Sequence, residues 1–179
     1  EMPEGGELVL IAQNAAGYVS LSRLVTECHL AEPRRHPLCT WDRLARHRDG
    51  LLCLTGGNVG PLDRLLARKD FAGADRLINR LVDFFGSGRI FLEVERSYLP
   101  WGIEVERRLR ELGTRYGLAL VAGGAVTHRR RSHFPAQDVA VCAETLARVE
   151  EVLGRKPRRH PSQPDVCSAP LRSMNAEGF

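Results

Sequence analysis

The side chains best suited to chemistry are the carboxylates Glu93 and Glu95, the imidazoles His128 and His133, and the arginines Arg129, Arg130 and Arg131, together with the glycine-rich stretch Gly56–Gly60. Glu93 and Glu95 lie in RIFLEVE (Arg89–Glu95), which reads as a strand. Strand side chains alternate, so both carboxylates share a face with Phe91, and Ile90, Leu92 and Val94 share the other. Two carboxylates near a strand's C-terminal end suit divalent-cation binding or acid/base work. The competing reading is an ion pair with one of the many arginines. The two readings weigh evenly for Glu93, and the ion pair is preferred for Glu95.

The stretch LALVAGGAVTHRRRSH (Leu118–His133) reads as a buried strand, Leu118–Ala122, a Gly-Gly turn and a basic loop. A short apolar run bounded by glycine suits the centre of a parallel sheet. In parallel α/β architectures the loop after such a strand holds the chemistry. This loop offers His128 and His133 but no carboxylate, so it is poorly equipped to hold a metal. GGNVG (Gly56–Gly60) follows another apolar strand directly. A glycine-rich strand-to-helix turn can cradle phosphate. Neither Gly-Lys-Ser/Thr nor GxGxxG is present, so a tight βα turn is expected instead. Arg129–Arg131 and Arg155–Arg159 concentrate positive charge. Guanidinium forks suit contact with phosphates. A solvated surface of an arginine-favouring sequence is the preferred reading.

The elements that must position these residues follow from periodicity. ELVLIA (Glu7–Ala12) is a strand, and Tyr18–Leu30 has helical apolar spacing. Thr40 caps a short helix, Trp41–His47. Leu51–Thr55 is a second strand, and Pro61 starts a helix that runs over Leu62–Ala67. Helices are expected over Phe71–Phe85, Ile103–Tyr116 and Ala136–Leu153. Strands alternating with helices predict an α/β fold of about four parallel strands with right-handed crossovers. That is too few for a closed eight-stranded barrel, so half a barrel or a small three-layer sheet is expected.

The 179 residues carry a net charge of +4, with 43% hydrophobic and 27% charged residues, which describes a globular chain rather than a disordered one. No apolar run is long enough to span a membrane and no leader pattern opens the chain. A cytoplasmic setting is expected. The chain begins with Glu1, which suggests a piece of a longer protein. Five cysteines, with no CxxC and no metal-ligand spacing, read as reduced thiols, Cys53 and Cys142 among them buried.

Five stretches in collinear order resemble bacterial C-family DNA polymerases, the polymerase III alpha subunits. They are ELVLIAQNAAGYVSLSRLVTECHL (Glu7–Leu30), RDGLLCLTGGNVGPLDRLLARKD (Arg48–Asp70), FFGSGRIFLEVE (Phe84–Glu95), LRELGTRYGLALVAGGAVTH (Leu109–His128) and SAPLRSMNAEGF (Ser168–Phe179). The resemblance implies the C-terminal two thirds of a polymerase-and-histidinol-phosphatase (PHP) domain. That fold is a distorted seven-stranded β/α barrel, so this chain is a partial PHP-type barrel. In some members a metal centre supports a phosphoesterase or a 3′–5′ exonuclease.

The family's ligands do not carry over. Its Asp-x-His falls on Ala125 and Thr127, and its ligand Cys falls on Gly57 in Thr55-Gly56-Gly57. His128 lies beside the ligand position rather than in it, and with Glu93 it is a weak metal candidate. Neutral Ala, Thr and Gly cannot satisfy a divalent cation. The resemblance therefore implies a degenerate domain without a catalytic residue, metal or cofactor of its own. Residues 1–154 form the PHP segment, and residues 155–179 are a Pro/Arg-rich linker to the polymerase core of the same chain. The Gly-Gly form and the Arg-Pro-rich run resemble the error-prone subclass that acts in translesion synthesis. For the parent this implies Mg2+-dependent nucleotidyl transfer on DNA, beside a Y-family-like accessory protein and the sliding clamp. An active phosphoesterase or proofreading nuclease, and a non-enzymatic interaction module, are the rival readings. A half-barrel has open strand edges, so the isolated segment is expected to be unstable or to self-associate.

Overall fold

The computed structural model describes residues 2, 5–31, 37–95, 102–123, 130, 136 and 139. The chain divides into two units, Glu1–Glu95 with Pro100–Gly123, and Arg96–Leu99 with Gly124–Phe179. Nearly all described residues belong to the first. The predicted helix over Ala136–Leu153, the linker over 155–179 and Cys142 lie outside the described residues, Ala136 and Val139 excepted.

The first unit is a four-stranded sheet with helices packed on it. Its strands are β1 (Val9–Ala12), β2 (Leu51–Leu54), β3 (Ile90–Val94) and β4 (Ala119–Ala122), paired in that order. Helices α1 (Ala15–Ala31) and α2 (Trp41–Arg46) lie between β1 and β2 in the chain. Helices α3 (Pro61–Ala67) and α4 (Phe71–Phe85) lead from β2 to β3, and α5 (Gly102–Tyr116) from β3 to β4. The mixed α/β architecture and the mostly parallel sheet agree with a partial PHP-type barrel.

The local signals explain these boundaries. Thr40 is extended (φ −74°, ψ 157°) and its hydroxyl accepts the Arg43 N–H, capping α2. Asn14 and Asp70 do the same for α1 and α4, accepting the Gly17 and Gly73 N–H groups at 2.9 and 2.8 Å. α4 buries Ala74, Leu77, Ile78, Leu81 and Phe85 along one stripe. The core joins these to Leu51 and Cys53 of β2, Ile90 and Leu92 of β3, and Val105, Leu109 and Leu112 of α5. Trp41 locks α2 against α4, with its ring 5.5 Å from Phe84 and the Arg80 guanidinium 4.2 Å over its face.

Two expectations need correction. β2–β3 and β3–β4 are parallel, but β1 runs antiparallel to β2, with Val9 opposite Leu54 and Ala12 opposite Leu51. The α1–α2 segment returns the chain to the end of the sheet where β1 stops. There the Gln13 N–H donates to the Gly50 carbonyl at 2.9 Å. A connection that comes back to the same end forces antiparallel pairing. The strand expected at the buried centre, β4, is instead an edge of the described sheet, and Ala119, Leu120 and Ala122 are exposed.

Candidate functional site

At the C-terminal end of β2 the chain makes the tight turn its glycines imply. Thr55 is fully buried and extends the pairing, its N–H donating to the Phe91 carbonyl at 3.1 Å. Gly56 then takes a left-handed conformation (φ 84°), where a Cβ would collide with the Glu7 carbonyl oxygen. A single 3-10 turn, Gly57–Val59, leads to Pro61 at the first position of α3.

β3 ends beside this turn and delivers both carboxylates to it. The Glu93 N–H donates to the Thr55 hydroxyl at 3.0 Å, and Glu95 Oε2 accepts the Asn58 N–H at 3.2 Å. A Cβ on Gly57 would lie 2.9 Å from Glu95 Oε2 and 3.8 Å from Glu93 Cδ. The position where the resemblance places a ligand cysteine therefore faces both carboxylates. Gly123, just after β4, is equally constrained, since a Cβ there would overlap Glu93 Oε1.

A third acid completes the cluster. Asp63, in the first turn of α3, is 5% exposed and buried with Leu62 and Leu66. Burial, then the charge of Glu95 and then that of Glu93 push its carboxyl up to about 7. Glu93 is also raised, by burial and then by Glu95, and the Gly56 backbone hydrogen bond offsets part of this. Asp63 Oδ1, Glu93 Oε2 and Asn58 Nδ2 are buried without a hydrogen-bond partner. Asp63 and Asn58 also line an open cavity of about 300 Å3, together with Arg64, Arg68 and Val105.

Among the described residues neither Glu93 nor Glu95 makes an ion pair with an arginine, the reading preferred for Glu95 and evenly weighed for Glu93. Asp63 is not among the residues that motif and periodicity single out. A carboxylate three residues before Leu66, in a short helix that starts straight from a strand turn, was the available signal. Of the other predicted residues, Arg130 is exposed. Ala125, Thr127, His128, Arg129, Arg131 and His133 lie outside the described residues.

Burial raises the carboxyls of Asp63 and Glu93. Asp63 and Glu93 ionise at a cost, because each is buried beside another carboxylate. Among the described residues no three His, Cys, Asp or Glu side chains are arranged as ligands of one metal. Gly57 adds no ligand atom beyond its backbone.

The PHP-domain model matches residues 2–97, from before β1 through the end of β3. This chain belongs to the PHP-domain family. It is 33% identical over 191 residues to an error-prone DNA polymerase of Symbiobacterium thermophilum, covering 96% of this chain and 18% of that protein. It is 32% identical over 136 residues to the DNA polymerase III subunit alpha of Caulobacter vibrioides, covering 75% of this chain and 12% of that protein. The alpha subunit of Thermus aquaticus is 25% identical over 150 residues, covering 83% of this chain and 12% of that protein. This PHP domain thus spans less than a fifth of the length of these relatives. Among the described residues no helix is long and apolar enough to cross a membrane.

Proposed function

We propose that this PHP domain is part of an error-prone bacterial DNA polymerase and serves there as a structural, metal-free module. The observation that carries the structural reading is the environment of Gly57. The position faces Glu93 and Glu95, yet its glycine brings no thiolate to stand beside them. The polymerase reading is supported by the relatives, whose names are error-prone DNA polymerase and DNA polymerase III subunit alpha.

In this reading the parent protein extends a primer on damaged template, with Mg2+ and carboxylates supplied by a polymerase core outside the described residues. Residues 1–154 pack on that core, and residues 155–179 link to it. Arg129, Arg130 and Arg131 contact the DNA backbone, where cations weaken binding uniformly when removed. The sliding clamp and a Y-family-like accessory protein are its partners, in the cytoplasm. The convergence of Asp63, Glu93 and Glu95 gives the rival phosphoesterase or 3′–5′ nuclease its one foothold.

Primer extension by the full-length protein on a template carrying an abasic site tests this. Synthesis past the lesion is expected, in the unaltered protein and in Glu93→Gln alike. A stop at the lesion would remove the error-prone assignment, and no synthesis even on intact template would remove the polymerase assignment. Degradation of a 3′-labelled primer that vanishes in Glu93→Gln would put the nuclease first.

A further inference from the structure

Arg64 and Arg68 stand one turn apart at the end of α3, and the Arg68 N–H donates to the Arg64 carbonyl at 3.2 Å. Residues at this spacing share a face, and like charges there repel each other. On α5, Arg107 and Arg110 are similarly spaced, and each is paired with a glutamate one turn away. On α3 no such partner exists. The positions three and four away are Gly60, Pro61 and Ala67 for Arg64, and Leu65, Phe71 and Ala72 for Arg68, so no carboxylate is in helical reach. Among the described residues neither guanidinium forms an ion pair or a hydrogen bond.

Both arginines line the open cavity of about 300 Å3 beside α3. Exposure rises along its wall, from buried Asp63 through half-buried Arg64 to exposed Arg68. Val105 of α5 lines it too and is buried. Asn58, in the turn before α3, adds an amide whose Nδ2 is a buried donor without a partner among the described residues. Gly5 borders the Arg64 guanidinium, since a Cβ there would lie 3.4 Å from Nη1.

We propose that this cavity is a phosphate-binding site, with Arg64 and Arg68 as its cations. An anion between the two guanidiniums removes their mutual repulsion and meets forks of donors that nothing else occupies. A carboxylate offers two oxygens in one plane. A phosphate spreads its charge over oxygens on several sides and so serves two forks at once. Asp63 lies at the buried end of the wall, so the arginines hold the ligand's charge at the outer end. A free phosphate or monoester and a nucleic-acid backbone share this chemistry. The site stands apart from the polymerase assignment, and its test needs no synthesis.

The test labels the arginines of the full-length protein with phenylglyoxal, with and without inorganic phosphate at matched ionic strength, and maps the labelled peptides by mass spectrometry. Arg23 and Arg76, both exposed, serve as internal references. At about ten times its dissociation constant, phosphate should lower the labelling of Arg64 and Arg68 about tenfold, since only the empty site reacts, and leave Arg23 and Arg76 unchanged. Arg68 is exposed, so Arg68→Gln should fold normally. In that variant phosphate should bind about tenfold more weakly, and Arg64 should lose its protection accordingly. A thymidine trinucleotide without a terminal phosphate separates the two sources. Protection by it assigns a backbone diester, and protection by inorganic phosphate alone assigns a free phosphate or monoester. Labelling of Arg64 and Arg68 that neither probe lowers, or that falls no further than that of Arg23 and Arg76, overturns the proposal. Undiminished protection of Arg64 in Arg68→Gln overturns it as well.

Discussion

Acids behave in opposite ways on α5 and at the strand ends. On α5, Glu104, Glu106 and Glu111 alternate with arginines one turn away. Arg107 bridges Glu104 and Glu111, Arg108 reaches the same two at 3.1 and 3.0 Å, and Arg110 pairs with Glu106 at 2.7 Å. The Arg107 hydrogen bond holds the Glu104 carboxyl below its ordinary range. At the strand ends Asp63, Glu93 and Glu95 face one another, and burial raises Asp63 and Glu93. Among the described residues no arginine forms an ion pair with Glu93 or Glu95. Helical spacing supplies cations on α5, whereas the βα turn places glycines and an asparagine where a cation would have to stand.

The largest effect should come from the buried acid. The Asp63 carboxyl rises from an ordinary 3.8 to about 7 on folding. Its folded value is the higher one, so between these values the folded state binds more protons than the unfolded state. Stability should therefore fall as pH rises from about 4 to about 7, by on the order of 2–4 kcal/mol, and stay low above that. Asp63→Asn should remove most of this slope and be the more stable protein at pH 8. Urea melts of both proteins across pH measure it, and parallel curves would show that Asp63 is not the buried titrating group.

The smallest effect should come from α5. Glu104 is fully exposed and its carboxyl is lowered, so its contribution has the opposite sign, present above its unfolded value and lost as pH falls through the folded one. Glu104→Gln should shift the melting midpoint only slightly, and the difference should vanish in about 1 M salt. A shift as large as that of Asp63→Asn would erase the distinction between the two regions.

Much of this fold is legible in the sequence because its signals are local. The Thr40 cap, Pro61 at a helix start, the glycine turn and the apolar stripe of Phe71–Phe85 each name their element without knowledge of neighbours. What fails is whatever depends on partners far along the chain. Periodicity makes Val9–Ala12 a strand but does not say that it returns antiparallel to Leu51–Leu54. Apolar composition makes Ala119–Ala122 a strand but not an edge. Alternation places Glu93 and Glu95 on one face, yet the third acid comes from α3, more than two dozen positions earlier.

The central claim, that this PHP domain holds no metal centre, is tested most directly by elemental analysis. The full-length protein would be purified without chelator beside an Ala125→Asp/Thr127→His double variant. The account predicts no stoichiometric zinc, manganese or iron in the unaltered protein, whether or not the variant gains any. Stoichiometric zinc or manganese in the unaltered protein would contradict it, and Asp63, Glu93 and Glu95 would then be the first residues to test as ligands.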